Sequence, residues 1–135
     1  MNAVSPLPGA PAAAPSVAEL RQRFRQGKAE LLQHFSASRP SAPAAARLIR
    51  ALARHVDATL LALWVRAGMP HGAALLAVGG YGRGELFPHS DVDVLVLLPP
   101  AAVVSPHADA AATQAAIEGF ITACWDTGLE IGSSE

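Results

Sequence analysis

The sequence predicts an α/β domain (α+β in arrangement), in which N-terminal helices precede a small mixed sheet. Two segments in the first half have apolar residues at helical spacing, and two short apolar runs follow them, as is typical of strands. The 135 residues are 51% hydrophobic, which is enough for one domain with a core. A net charge of -1 argues against a general binder of nucleic-acid backbones, so no nucleic-acid partner is expected.

The N-terminal part begins with a lead-in and a first helix. Residues 1–15 are rich in proline and alanine and predict a disordered segment. Ser16 is a suitable N-cap, and Glu19 three residues later completes a capping box. The apolar residues of this helix recur at helical spacing and should face the core: Val17, Leu20, Phe24, Leu31 and Phe35.

A second helix is predicted from Ser41 to about Ala67. Pro43 suits a helix start, and Gly68 suits its end. One apolar stripe should be buried, formed by Leu48, Leu52, Val56, Leu60 and Leu63. We therefore interpret residues 16–70 as an N-terminal helical segment.

Two strands are predicted in the second half of the chain. Ala74 to Val78 is short and apolar, which favours a buried strand. Val92 to Leu98 is apolar on both faces, so we expect it to be covered on both sides. Apart from Asp91 and Asp93, nothing polar interrupts this second strand.

The last part of the chain predicts a linker, a helix and part of a strand. Pro99 to Pro106 is the linker, residues 109–127 form the helix, and residues 129–132 begin a further strand. Residues 71–135 would thus form a sheet-containing core that we expect to be incomplete at its third strand. The inner face of the helix is predicted to hold Ile117, Phe120, Ile121, Cys124 and Trp125.

Two aspartates at the start of the second strand are candidate metal ligands. Asp91 and Asp93 are two residues apart, so a strand would project both carboxylates from one face, about 7 Å apart or less. Two negative charges at this distance repel unless a cation lies between them. Magnesium is the simplest such cation because it prefers carboxylate and phosphate oxygens.

Glycines at the end of the first strand are candidate phosphate-binding residues. Gly79 and Gly80 lack a Cβ, so backbone N–H groups can approach phosphate oxygens closely, and Arg83 can add a guanidinium. Ser90 either binds a phosphate or only caps the loop, and both alternatives stay open. A Gly-Gly pair alone is usually a turn, but together with the aspartate pair it indicates a site for a metal and a nucleotide.

The stretch GGYGRGELFPHSDVDVLVLL resembles the nucleotidyltransferase signature of the DNA polymerase β-like superfamily. Within that superfamily it resembles the N-terminal catalytic domain of the bifunctional uridylyltransferase and uridylyl-removing enzymes, which modify the PII nitrogen-regulatory protein. The segments HVDATLLALW and CWDTGLEIG also resemble that family. Twelve positions carry the signature: Gly79, Gly80, Tyr81, Gly82, Arg83, Gly84, Glu85, Leu86, Pro88, Ser90, Asp91 and Asp93.

The resemblance implies a polymerase β-like fold and the transfer of UMP from UTP to a tyrosine of PII. Asp91 and Asp93 would hold Mg²⁺, while Gly79 and Gly80 would hold the triphosphate. The third carboxylate of the superfamily would lie beyond Glu135, so we expect a truncated domain with little activity alone. Two alternatives stay open: a nucleotide-binding regulatory module without turnover, and an adenylyltransferase of the same superfamily.

The sequence also predicts the cellular location of the protein. The longest apolar stretch, Val92 to Val104, contains two prolines and is shorter than the roughly 20 residues of a membrane span. Met1 to Pro15 lacks the positive region of a secretory signal. We therefore expect a cytoplasmic protein with no membrane partner.

Overall fold

The computed structural model describes residues 14–98, 107–129 and 131–134. Most of the predicted lead-in and all of the predicted linker lie outside these described residues. Within these residues there are four helices and three strands, and apart from the short helix at Gly79–Gly82 their order is the one that the sequence predicts. They are α1 (Val17–Ala37), α2 (Ala42–Ala67), β1 (Ala74–Ala77), α3 (Gly79–Gly82), β2 (Val92–Leu97), α4 (His107–Thr127) and β3 (Ile131–Ser134).

The two N-terminal helices begin at the caps that the sequence predicts. Ser16 precedes α1, and its hydroxyl oxygen accepts a hydrogen bond from Glu19 N at 3.1 Å. The Glu19 carboxylate in turn lies 3.3 Å from the Ser16 hydroxyl. Ser41 caps α2 in the same way, accepting from Ala44 N at 3.1 Å, and α2 ends at Gly68. Each cap satisfies one backbone N–H that the first helical turn leaves without a partner.

The three strands form one mixed sheet in the order β1-β2-β3. β1 runs antiparallel to β2, with Ala77 opposite Val94. β2 runs parallel to β3, with Val92 opposite Ile131. The predicted small mixed sheet is therefore confirmed, although β3 begins two residues later than expected. A parallel pair needs a crossover between its strands, and α4 supplies it.

A single hydrophobic core joins the helices to one face of the sheet. All five residues of the predicted α2 stripe are buried, and Val92 and Val94 of β2 belong to the same cluster. Cys124 of α4 is fully buried, and burial raises the pKa of its thiol to about 12. The prediction that this cysteine is a core residue is confirmed.

Three expectations about burial were wrong. β1 is an exposed strand, since only Leu75 of its four residues is even half-buried. β2 is not covered on both sides, because Leu97 is 47% exposed while Val94 on the other face is 4% exposed. Trp125 was assigned to the inner face of α4 but is 55% exposed. Apolar pattern alone does not reveal which of two apolar faces meets the rest of the chain.

Helices α1 and α2 meet through a histidine that the sequence pattern does not single out. The His55 ring stacks on Phe24 with 5.4 Å between ring centroids, and His55 Nε2 lies 2.9 Å from Phe24 O. A Cβ at Gly27 would lie 2.3 Å from His55 Cε1. Glycine at this position therefore makes room for the ring between the two helices.

Candidate functional site

The candidate site begins where β1 ends. Val78 N donates to Asp93 O at 3.0 Å, and the chain then enters the single helical turn α3. Gly79 has a φ of +62°, a conformation that side chains other than glycine rarely adopt. A Cβ at this position would lie 3.1 Å from Asp93 Oδ2. The first glycine of the turn therefore lies directly against a carboxylate of the aspartate pair.

The turn presents backbone N–H groups at its start. Val78 provides no side-chain cap, and the N–H groups of Gly79 and Gly80 donate to no backbone carbonyl among residues 14–98, 107–129 and 131–134. Arg83 lies at the end of the turn and is exposed, with Nη2 3.6 Å from the place a Cβ of Gly80 would occupy. Two unpaired backbone donors and a guanidinium are thus close together, an arrangement suited to an anion.

The two aspartates differ in their surroundings. Asp93 is half-buried within β2, on the face opposite to Val92 and Val94. Asp91 immediately precedes the strand and is exposed. Strand alternation places Asp93 on the side of β2 that faces away from the core. Asp91 lies one residue before the strand, so its position on the same side stays a prediction.

Ser90 caps the loop before β2, which is one of the two roles that the sequence left open. Its hydroxyl oxygen accepts from Phe87 N at 3.1 Å, and Ser90 N donates to Phe87 O at 3.0 Å. These two bonds close the turn that leads into β2. The Ser90 hydroxyl therefore holds the loop in this structure, and its contact with a phosphate stays a prediction.

Tyr81 connects the glycine turn to α2. Tyr81 is only 6% exposed, and its hydroxyl donates a hydrogen bond to Asp57 Oδ1. Burial, this hydrogen bond and the charge of Asp57 together raise the pKa of Tyr81 far above its ordinary value. The sequence signature includes Tyr81 but not Asp57, because the two residues are 24 positions apart and share no local pattern.

The donor set fits a hard divalent cation. Asp91 and Asp93 offer carboxylate oxygens, and magnesium commonly takes one or two protein carboxylates and completes its shell with water and phosphate oxygens. No group of three acidic, histidine or cysteine side chains that could hold a metal exists within the described part of the chain. The missing Cβ at Gly79 leaves space beside Asp93 Oδ2 that a side chain would fill. The Asp93 carboxylate beside the glycine turn, with Asp91 two residues before it, is therefore suited to a metal that arrives with phosphates.

Among the residues that the structure describes, no helix is both long and apolar enough to cross a bilayer.

Comparison with known proteins gives a family match and close relatives. Residues 64–121 match the nucleotidyltransferase domain family. Over 120 residues the chain is 47% identical to bifunctional uridylyltransferase/uridylyl-removing enzymes from Burkholderia mallei (strain SAVP1) and Burkholderia pseudomallei (strain K96243). The aligned part is 89% of this chain but only 13% of the length of those relatives. The comparison with solved structures finds no significant match.

These findings confirm the family resemblance that the sequence predicts. The matched residues include the whole segment from β1 to β2, which contains the glycine turn and both aspartates, and α4 as far as Ile121. The α/β fold class of the nucleotidyltransferases agrees with the helices and mixed sheet described above.

Proposed function

Since the chain is a relative of the bifunctional uridylyltransferase/uridylyl-removing enzymes and contains a nucleotidyltransferase domain, we propose that it serves the transfer of UMP from UTP to a protein. The acceptor in this proposal is a tyrosine hydroxyl of the PII regulatory protein. The tyrosine oxygen forms a bond to the α-phosphorus of UTP, the bond to the β-phosphate breaks, and pyrophosphate leaves. The hydroxyl proton passes to solvent.

One observation supports this proposal most strongly. The glycine turn and the aspartate pair are separated in sequence, yet Gly79 lies so close to Asp93 that a Cβ would be 3.1 Å from Oδ2. A triphosphate bound by the turn would therefore lie next to the carboxylates. A metal held by these carboxylates would there supply charge neutralisation to the phosphates.

Each side chain of the site has a role in this proposal. Asp91 and Asp93 would hold Mg²⁺, which when bound supplies charge neutralisation on the departing pyrophosphate. The N–H groups of Gly79 and Gly80 would bind phosphate oxygens, and the exposed Arg83 would add a charge-assisted hydrogen bond. Ser90 keeps the loop before Asp91 closed through Phe87 and would direct its hydroxyl hydrogen to a phosphate.

The choice of UTP and of PII rests on the relatives' name and on the sequence resemblance. Base selection needs contacts outside the signature, so an adenylyltransferase of the same superfamily remains the alternative enzyme. A cytoplasmic location is part of the proposal, because the single cysteine can form no internal disulfide and suits a reducing compartment.

The proposal is tested with UTP labelled in its α-phosphate. We expect magnesium-dependent labelling of PII by the protein, at the low level that the sequence predicts for this domain alone, and no labelling of a PII variant whose acceptor tyrosine is replaced by phenylalanine. The variant Asp91→Asn/Asp93→Asn should lose transfer while it keeps its fold, as judged by circular dichroism. Asp126→Asn, which changes an exposed aspartate of α4, is the matched control.

Two results would change the proposed function. Labelling by α-labelled ATP but not UTP would favour the adenylyltransferase. Magnesium-dependent UTP binding without any transfer, by this chain and by a longer chain that also carries a third carboxylate, would favour the nucleotide-binding module without turnover.

A further inference from the structure

Two hydrogen bonds among the described residues attach the glycine turn, residues 79–84, and the loop that follows it to α2. Tyr81 Oη donates to Asp57 Oδ1, and Leu86 N donates to Ile49 O at 3.2 Å. The other backbone bonds of the turn are local: Gly82 N donates to Val78 O, and the next three N–H groups also bond within residues 79–85. These local bonds fix the shape of the turn. The bond from Val78 N to Asp93 O joins the start of the turn to β2, and the two bonds to α2 hold its other side on the helix.

The hydrogen bond between Tyr81 and Asp57 joins the turn to α2, and the two residues differ in their exposure to solvent. The Tyr81 ring belongs to the hydrophobic core, whereas Asp57 is an exposed residue of α2. A phenol that is buried beside a carboxylate keeps its proton, so it remains a donor across the physiological pH range. The bond to Asp57 is charge-assisted and therefore stronger than a bond between neutral groups.

We propose that Asp57 is a positioning residue for nucleotide binding, which accepts the Tyr81 hydroxyl and thereby holds the N–H groups of Gly79 and Gly80 beside Asp93. This inference rests on the proposed function, since it concerns the turn that would bind the triphosphate. Asp57 itself touches neither the metal nor the nucleotide. Its effect is on where the phosphate donors lie relative to the carboxylates.

Three variants separate this role from a purely structural one. Tyr81→Phe keeps the buried ring and removes only the donor. Asp57→Ala removes the acceptor, and because Asp57 is exposed and alanine favours helix, α2 should not be weakened. Asp57→Asn keeps a neutral acceptor oxygen and should restore part of the interaction. Asp126→Asn is again the matched control.

The experiment measures the Kd of the 135-residue protein for Mg·UTP by isothermal titration calorimetry, and separately for Mn²⁺ alone by electron paramagnetic resonance. We expect Tyr81→Phe and Asp57→Ala to raise the Kd for Mg·UTP about tenfold, as for the loss of one charge-assisted hydrogen bond. Asp57→Asn should raise it less, and Asp126→Asn should leave it unchanged. The Kd for Mn²⁺ alone should be unchanged in every variant, because the aspartate pair remains in place.

The combined variant Tyr81→Phe/Asp57→Ala should bind Mg·UTP no more weakly than either single variant, because the two residues make one shared contact. Unchanged Mg·UTP binding in both single variants, or equal losses for Mn²⁺ and Mg·UTP, would overturn the positioning role. Failure of the wild-type protein to bind Mg·UTP would instead overturn the proposed function, and the inference with it.

Discussion

The two faces of β2 show how one short strand serves both stability and chemistry. Val92 and Val94 are each 4% exposed and pack into the core beneath the helices. On the other face Asp93 is half-buried beside Gly79, and Leu97 is 47% exposed. The core face thus has close-packed apolar neighbours, whereas the other face has a charged group and an open surface. A substitution on the core face of β2 should therefore change the stability of the fold, whereas a substitution at Asp93 on the other face should change ligand binding.

The largest expected effect is on the core face. Val94→Asp would bury a carboxylate without a partner and should lower the free energy of unfolding by about 4 kcal/mol. The matched change on the open face, Leu97→Asp, should cost less than about 1 kcal/mol because that side chain is already half exposed. Urea unfolding followed by circular dichroism measures both. Similar losses for the two variants would mean that the faces are not different in burial.

The next effect concerns the close packing of the turn against β1. A Cβ at Gly82 would lie 2.8 Å from Ala77 O, a backbone atom that cannot turn away. Gly82→Ala should therefore lower the free energy of unfolding by about 2 kcal/mol. At Gly119 a Cβ would meet no atom within 4 Å, so Gly119→Ala on α4 is the control and should be neutral or stabilising. An unchanged urea midpoint for Gly82→Ala would contradict the close contact.

A smaller effect is expected at Gly80, where a substitution should weaken nucleotide binding and leave the free energy of unfolding unchanged. A Cβ there would lie 3.5 Å from Glu85 O and 3.6 Å from Arg83 Nη2, which is ordinary contact, so Gly80→Ala should fold as the wild type does. The methyl group would stand where a phosphate approaches and should weaken Mg·UTP binding about tenfold. Calorimetric titration and a thermal melt measure the two quantities. Unaltered affinity would indicate that Gly80 only forms a turn.

The smallest effect is expected where the loop enters β2. Ser90→Ala removes the bond from Phe87 N to the Ser90 hydroxyl and should lower the free energy of unfolding by about 1 kcal/mol. Ser90→Thr keeps the hydroxyl and should retain most of that stability. Equal urea midpoints for Ser90→Ala and the wild type would show that this bond does not stabilise the loop.

The helices were predictable because their signals are local. Ser16 and Ser41 cap the helices that they precede, and the α2 stripe follows helical spacing into the core. The glycine turn after the first strand and the aspartate pair at the start of the second strand are also readable from the chain, and the family match covers both.

What could not be predicted depends on contacts between distant residues. The open face of β2 and the exposure of Trp125 depend on where the helices pack, which an apolar pattern does not specify. The hydrogen bond from Tyr81 to Asp57 joins residues in different elements, and no spacing rule connects them. The same is true of the His55 ring over Gly27.

The central claim is that Asp91 and Asp93, beside the glycine turn, hold a divalent cation together with a triphosphate. Electron paramagnetic resonance of Mn²⁺ in the presence of UTP tests it most directly, since bound and free Mn²⁺ differ in signal. We expect the wild-type protein to bind Mn·UTP and the variant Asp91→Asn/Asp93→Asn to lose that binding while it remains folded. Undiminished Mn·UTP binding by the folded double variant would contradict the claim.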